Sequence, residues 1–300
     1  MKKIKKVIVI VGPTATGKTE LAVSLAEKLN TYIISGDSMQ IYKHFHIGTA
    51  QPNLEQIKVP YFLVNILEPE KKFSAYDFKE KANEIIEKKQ QIPIIAGGTG
   101  FYINSFLRND TLGFLDGKQY QQFLSEYGEY NLAELAALLE KNDQQAFNKV
   151  DIANKRRVLR ALAIKTITGK SIVEQDSNET EFDPFLIGLN TKRPILYERI
   201  EKRVDLMMEQ GLLSEAEKVY ENRFSYPLLS TAIGYKEFFP FFEDKLELSD
   251  SVTLLKQKTR NYAKRQLTWF RNKMQVNWYD IEDPSVYNKI ESDLLNWFSH

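Results

Sequence analysis

Residues Val7 to Thr19 read VIVIVGPTATGKT. An apolar, β-branched run passes straight into Gly12-Pro13-Thr14-Ala15-Thr16-Gly17-Lys18-Thr19, the G-x-x-x-x-G-K-T pattern of the Walker A phosphate loop. That pattern works only as strand, loop and helix in succession, so it commits the chain to an α/β architecture from the start. Its physics is local. Glycines let the backbone wrap closely around phosphate oxygens, and successive amides make an anion nest. The helix that starts near Gly17 directs its positive end at the anion. Lys18 adds a point charge, and Thr19 offers a hydroxyl suited to Mg²⁺. The plain alternative is a Gly-rich turn; the match at every fixed position, behind an apolar strand, favours the phosphate loop. Which phosphate it holds must come from the rest of the chain.

The following segments repeat the theme. Val7–Val11 reads as strand and Lys18–Leu29 as helix. Thr31–Ser35 is a short second strand that ends in Gly36-Asp37-Ser38-Met39-Gln40. Tyr61–Ile66 reads as a strand, and Ser74–Lys89 as a helix with Ser74 as N-cap and Asp77 in its first turn. Ile92–Ala96 is a buried strand, followed by Gly97-Gly98-Thr99-Gly100 and a helix from Phe101. The β-α-β-α alternation predicts a P-loop NTPase-like three-layer α/β fold with a mostly parallel sheet. From Gly117 to Ser171 the pattern turns helical and polar, with amphipathic stretches at Asn131–Glu140 and Lys155–Lys165. This predicts a helical insertion over 113–181 between core segments 1–112 and 182–300. Phe185–Leu189 returns to the sheet, and helices follow at Pro194–Glu209, Ser214–Glu221 and Ser249–Lys273. Val276–Tyr279 reads as a last strand and Pro284–Phe298 as a closing helix.

Composition narrows the classes. Hydrophobic and charged fractions of 43% and 27% are those of an ordinary globular protein. A net charge of +1 leaves any nucleic-acid binding to local patches. Cysteine is absent, which excludes disulfides and Cys-based zinc sites and fits a reducing cytoplasm. His44, His46 and His300 are too few for a His-rich metal centre. The start MKKIKKVIVIVG imitates a signal peptide, but its apolar run is short and ends in the phosphate loop. No apolar run approaches the ~20 residues that span a bilayer. The expectation is a cytoplasmic monomer without membrane contact.

What is missing also informs. A P-loop ATPase usually ends an apolar strand with an acid that holds Mg²⁺. Here Ile92–Ala96 ends in glycines, and Tyr61–Ile66 contains only Asn65. Asp37 is the well-placed carboxylate, because ligands bind beyond the carboxyl ends of strands in doubly wound folds. Two classes survive: a small-molecule kinase, and a transferase whose loop holds a leaving diphosphate. In both, Asp37 would accept a proton from the nucleophile, although Ser-Gly-Asp-Ser is also good turn chemistry. Lys256, Lys258, Arg260, Lys264, Arg265, Arg271 and Lys273 crowd one predicted helix, with Tyr262, Trp269 and Phe270 interleaved. Lys155, Arg156, Arg157 and Arg160 form a second cluster in the insertion. Basic residues with stackable aromatics suit phosphate or RNA binding; the alternative is a solvated helix face.

With those residues in hand, the chain resembles the tRNA dimethylallyltransferase (isopentenyltransferase) family nearly end to end. GPTATGKT at Gly12–Thr19, GDSMQIY at Gly36–Tyr42, IGTAQP at Ile47–Pro52 and GGTGFY at Gly97–Tyr102 carry it. RRVLRAL at Arg156–Leu162, the stretch Arg199–Glu215, AIGYKE at Ala232–Glu237 and TRNYAKRQLTWFR at Thr259–Arg271 continue it. The resemblance implies transfer of a dimethylallyl group from dimethylallyl diphosphate to the exocyclic amine of an adenosine just 3′ of a tRNA anticodon, with Mg²⁺ as cofactor. It assigns Asp37, Thr14 and Lys18 to catalysis. Gly12, Pro13, Thr14, Ala15, Thr16, Gly17, Lys18 and Thr19 would grip the diphosphate, joined by Arg260 and Lys264, with Thr19 on the metal. Asp37, Ser38, Met39, Gln40 and Thr99 match positions that touch the substrate nucleotide. Arg156, Arg157 and Arg160 match the grip on the anticodon stem-loop.

The chain departs from the family in places. Many members have a His-His pair where Tyr61 and Phe62 stand, so that pair reads here as packing. The Cys/His zinc finger of some eukaryotic members has no counterpart. A P-loop kinase using ATP and a non-catalytic RNA-binding protein with an idle phosphate loop are the competing readings. The basic–aromatic helix at Ser249–Lys273 weighs against the first, and the intact set Lys18, Thr19 and Asp37 against the second.

Overall fold

β1 (Lys5–Val11) has Val7, Ile8, Val9, Ile10 and Val11 all at 0% exposure. A strand apolar on both faces belongs in the interior of a parallel sheet covered on both sides. The structure, a computed structural model, describes residues 4–108, 115, 117–174 and 181–299. The chain continues through α1 (Lys18–Lys28), β2 (Ile33–Ser35), β3 (Tyr61–Phe62), α2 (Ala75–Lys88), β4 (Ile94–Ala96) and α3 (Gly100–Leu107). Next come α4 (Gly117–Tyr127), α5 (Leu132–Asn142), α6 (Gln144–Lys149) and α7 (Lys155–Thr168). The chain closes with β5 (Phe182–Asn190), α8 (Arg193–Glu209), α9 (Leu212–Glu221), α10 (Phe239–Phe242), α11 (Leu248–Lys273), β6 (Asn277–Asp280) and α12 (Val286–Phe298).

Among the described residues the sheet runs β3-β2-β4-β1-β5-β6, with parallel pairings throughout. From β1 the chain crosses over β4 to β2 on one side, and later returns to β5 on the other. The loop after β1 therefore opens at a topological switch point, where doubly wound sheets leave a crevice. One face of the sheet, with Ile8, Ile10, Ile33, Ile94, Ile187 and Leu189, packs on Leu21 and Leu25 of α1 and on Ile290 and Leu294 of α12. Each fully buried Leu or Ile of this layer contributes about 1.5–3 kcal/mol. The alternate residues Val7, Val9, Val11, Ile34 and Ile95 serve the other face. There Phe106 of α3 lies 4.5 Å, ring to ring, from Phe182 of β5, and Phe78 of α2 stacks on Tyr102.

Local chemistry explains the boundaries. Ser74 caps α2 in a reciprocal capping box: the Asp77 N–H donates to Ser74 Oγ, and the Ser74 N–H to Asp77 Oδ2. β3 is shorter than the expected Tyr61–Ile66. Leu63 (φ 60°) and Asn65 (φ 55°) adopt left-handed backbone, which ends an extended strand. The freed amides of Asn65 and Ile66 instead donate to the carbonyls of Gln40 and Ile41, each at 2.9 Å. That ties the segment after Asp37 to the sheet edge.

Contacts divide the chain into a unit of Met1–Leu107 with Glu181–His300 and a second unit, Arg108–Thr180. The expected boundary at 112–113 lies outside the described residues. Within itself the second unit is helical and buries Phe123, Leu135, Leu139, Val158, Leu162 and Ile164. Asn131, Asp143 and Asn154 cap α5, α6 and α7, and Gly169 (φ 71°) closes α7.

Candidate active site

The phosphate loop is built as its sequence requires. Gly17 (φ 81°) and Ala15 (φ 65°) turn the backbone before α1. Gly12 (φ 144°) passes so close to β5 that a Cβ there would lie 2.4 Å from the Leu189 carbonyl oxygen. Thr16 Oγ1 and Lys18 Nζ both donate to the Pro13 carbonyl, at 2.8 and 2.7 Å. Gly12 and Pro13 thus shape the loop from beneath, while Thr14, Ala15, Thr16, Gly17, Lys18 and Thr19 line a cavity of about 850 Å³.

α8 and α11 complete the cationic end. Arg203 Nη1 donates to Thr14 Oγ1 at 3.2 Å, and Arg199 Nε to the Ala15 carbonyl at 2.9 Å. Four residues apart on α8, the two guanidinium groups share one helix face. Gln266 of α11 is buried and bridges two loops: its Oε1 accepts the Thr14 N–H at 3.0 Å, and its Nε2 donates to the Gly98 carbonyl at 3.0 Å.

The acidic side comes from the loop after β2. Asp37 Oδ1 accepts the Met39 N–H at 3.0 Å, and the Asp37 N–H donates to Ser35 Oγ at 3.3 Å. Thr99 Oγ1 accepts the Ser38 N–H at 3.0 Å, joining this loop to the one after β4. Asp37, Ser38, Met39 and Gln40 line the cavity that the phosphate loop lines. Burial pushes the Asp37 carboxyl above the usual carboxylate range, against the opposing pull of the Met39 amide, Lys18 and Arg203. Burial also lowers the Lys18 ammonium to about 8; Asp37 opposes that shift and Arg203 adds to it. One cavity therefore holds a phosphate cradle backed by two arginines and a carboxylate with raised proton affinity. Such a site can bind a diphosphate and remove a proton from a nucleophile.

A family model described as IPP transferase matches residues 40–273, and one described as isopentenyl transferase matches 5–63. The tRNA dimethylallyltransferase of Latilactobacillus sakei is 42% identical, with 99% of each chain covered. The chain belongs to the IPP transferase family. The crystal structure of a tRNA isopentenylpyrophosphate transferase from Staphylococcus epidermidis superposes with a TM-score of 0.71 at 39% identity, covering 97% of this chain and 99% of that one. A eukaryotic dimethylallyltransferase captured acting on tRNA gives a TM-score of 0.81 at 31% identity, covering 97% and 77%.

In this IPP transferase Arg260 and Lys264 of α11, expected on the diphosphate, are not in the lining of the cavity beside the phosphate loop. Arg260 is drawn away from the phosphate loop: its Nη1 donates to Glu201 Oε1 at 2.6 Å. Lys264 lines a separate, shallow groove on α11 with Arg265 and Trp269. The guanidinium groups that do reach the loop are Arg199 and Arg203. Both sit in the family stretch Arg199–Glu215, the signal that could have found them. Tyr61, read as packing, lines the cavity together with Thr19. Phe62 does pack, edge to face on Tyr32. In the second unit, Arg157 pairs with Asp151 at 3.3 Å, and the Arg160 guanidinium lies 5.6 Å from the centre of the Tyr120 ring. Arg156 is exposed on the same helix.

Proposed function

We propose that this IPP transferase transfers a dimethylallyl group from dimethylallyl diphosphate to the exocyclic amine of the adenosine 3′ to the anticodon in tRNA. It is a tRNA-modifying prenyltransferase, and its relatives carry that activity in their names. The carrying observation is the pairing, within one cavity, of the phosphate loop held by Arg203 with the Asp37 carboxylate.

The adenine amine is a poor nucleophile, since its lone pair is delocalised into the ring. The N–C bond forms at the allylic carbon as the C–O bond to diphosphate breaks, and the diphosphate leaves with the electron pair. Asp37 accepts the amine proton. Lys18, Arg199 and Arg203 line the cavity and, with the loop amides, supply the positive charge that meets the departing group. Thr14 orients the diphosphate through its bond with Arg203. Among the described residues no group of three or more His, Asp or Glu could cage a metal. The Thr19 hydroxyl, which lines the cavity beside the phosphate loop, is the donor that would hold Mg²⁺, and the ion would supply charge neutralisation on the leaving group. Ser38, Met39, Gln40 and Thr99 line or brace the acceptor side. The target base reaches it by leaving the stack of the anticodon loop. Arg156, Arg157 and Arg160 then grip tRNA phosphates. No helix among the described residues is long and apolar enough to cross a membrane, and we place the protein in the cytoplasm as a monomer.

Incubation with labelled dimethylallyl diphosphate, Mg²⁺ and unmodified tRNA, without ATP, tests this reading. Label in tRNA is the expected result. ATP-dependent phosphorylation of a metabolite without prenyl transfer would replace it with a kinase.

A further inference from the structure

Glu215 of α9 is buried at 8% exposure, yet it takes no part in the chemistry just described. Its carboxylate is filled from within the protein. Oε1 accepts the N–H groups of His46 and Ile47, at 2.8 and 3.0 Å. Oε2 accepts the Gly48 N–H and the Tyr235 hydroxyl, each at 3.0 Å. Three consecutive backbone amides converging on one side chain form a nest, here closed around a protein carboxylate and not a ligand. Hydrogen bonds to a charged acceptor are the strong kind. The packing agrees with the bonding. A Cβ on Gly48 would lie 2.5 Å from the Tyr235 ring, and Gly234 (φ 110°) brings its backbone against Gly48.

The clamp leads to the acceptor side. Gly48, Thr49 and Ala50 line the cavity. The Ala50 carbonyl accepts Gln40 Nε2 at 3.0 Å, and Gln40 Oε1 accepts the Ser35 hydroxyl at 2.8 Å. Ser35 Oγ in turn accepts the Asp37 N–H. The donor end is held by other means, through Arg203, Arg199 and Gln266 on the phosphate loop.

We infer that Glu215 is a positioning residue for the acceptor nucleotide: by clamping His46–Gly48 it fixes the wall that sets Gln40 and Asp37, without touching substrate. The inference rests on the tRNA prenylation reading. Its signature is a split between the two substrates. Glu215→Gln keeps one acceptor oxygen but turns an NH₂ group on the remaining donors. KM for unmodified tRNA should rise at least about tenfold, while KM for dimethylallyl diphosphate stays within about twofold. Tyr235→Phe removes one of the clamp's donors and should shift the same tRNA parameter by about two- to fivefold. Hydrogen exchange should quicken at His46–Gly48 in Glu215→Gln and not across the sheet. A folded Glu215→Gln with both KM values unchanged, or with both raised alike, overturns the inference. If that variant does not fold, Tyr235→Phe with an unchanged tRNA KM overturns it. Failure of the wild-type protein to prenylate tRNA would remove the functional reading, while unaltered exchange at His46–Gly48 in Glu215→Gln would remove the clamp itself.

Discussion

Gln266→Leu is the sharpest perturbation the site offers. The side chain is 6% exposed and joins the phosphate loop to the loop after β4 through two 3.0 Å hydrogen bonds, to the Thr14 N–H and the Gly98 carbonyl. Leucine preserves most of the volume but leaves both backbone groups without a partner. A buried polar group stripped of its partner costs about 1–3 kcal/mol. Gly98 is buried and takes the larger share; Thr14 is half-buried and faces the cavity, so water relieves part of its loss. The sum is about 2–4 kcal/mol in the placement of two loops. If about 1.4 kcal/mol of this reaches donor binding, KM for dimethylallyl diphosphate rises about tenfold. Initial rates at saturating tRNA, with donor varied, measure it directly. A double-mutant cycle with Gly98→Ala adds a second check. A Cβ at position 98 would lie 2.3 Å from Gln266 Nε2, so that substitution already expels the amide. The double variant should therefore cost little more than the worse single. A donor KM within twofold of wild type, or strictly additive effects in the cycle, would refute the bridging role.

Other expectations test the remaining parts. Asp37→Asn should lower kcat at least about 100-fold, the scale of a general base, with tRNA binding kept; near-normal turnover removes Asp37 from the mechanism. Asp37 works only when ionised, so kcat/KM should rise with pH through a value above the ordinary carboxylate range, and fall again near pH 8 as Lys18 loses its proton. A profile flat from pH 4 to 9 would contradict both assignments. Arg203→Ala should raise the donor Kd about 10- to 100-fold while leaving tRNA affinity in place, as read by titration with each substrate alone. Arg157→Ala should flatten the salt dependence of tRNA affinity. Its exposed pair with Asp151 is worth at most about 1 kcal/mol, so melting should barely move; an unchanged salt slope returns Arg157 to the solvent.

The parts of the site that were legible in the sequence are those where local rules decide. The phosphate loop is a backbone conformation written in Gly12 and Gly17, and the strand and helix around it follow from short-range pattern. Ser74 and Asp77 likewise announce a helix start that the capping box delivers. β3 was overread because apolar content alone does not reveal left-handed backbone at Leu63 and Asn65. Arg260 and Lys264 were assigned through the family resemblance, on a helix dense in charge. Charge density says nothing about which way a helix turns: α11 presents Gln266 to the loop, Arg260 to Glu201, and Lys264 to an outer groove. The polar residues that reach the loop from afar, Arg203 and Gln266, are separated from it by 189 and 252 positions. No periodicity carries information over such a distance.

The missing strand-end acid has a structural cause that bears on mechanism. At the end of β4 a Cβ on Gly97 would lie 2.2 Å from the Gly36 carbonyl carbon. The loops after β2 and β4 are in backbone contact there: the Gly36 N–H donates to the Ala96 carbonyl, and the Thr99 N–H to that of Gly36. No side chain, acidic or otherwise, fits at position 97, and at 98 a Cβ would displace the Gln266 amide. The carboxylate is supplied instead by Asp37, one residue beyond Gly36. Its Oδ2 lies 3.5 Å from where a Gly98 Cβ would stand, and burial raises its affinity for a proton. A strand-end aspartate in a P-loop ATPase stays charged and holds a metal ion. In the proposed mechanism Asp37 instead takes a proton, which agrees with its burial and raised proton affinity. The same close packing that leaves no room for an acid at the end of β4 brings the Asp37 carboxylate up to the phosphate cradle, and that suits the proposed reaction, in which the phosphate departs and the nucleophile must be deprotonated.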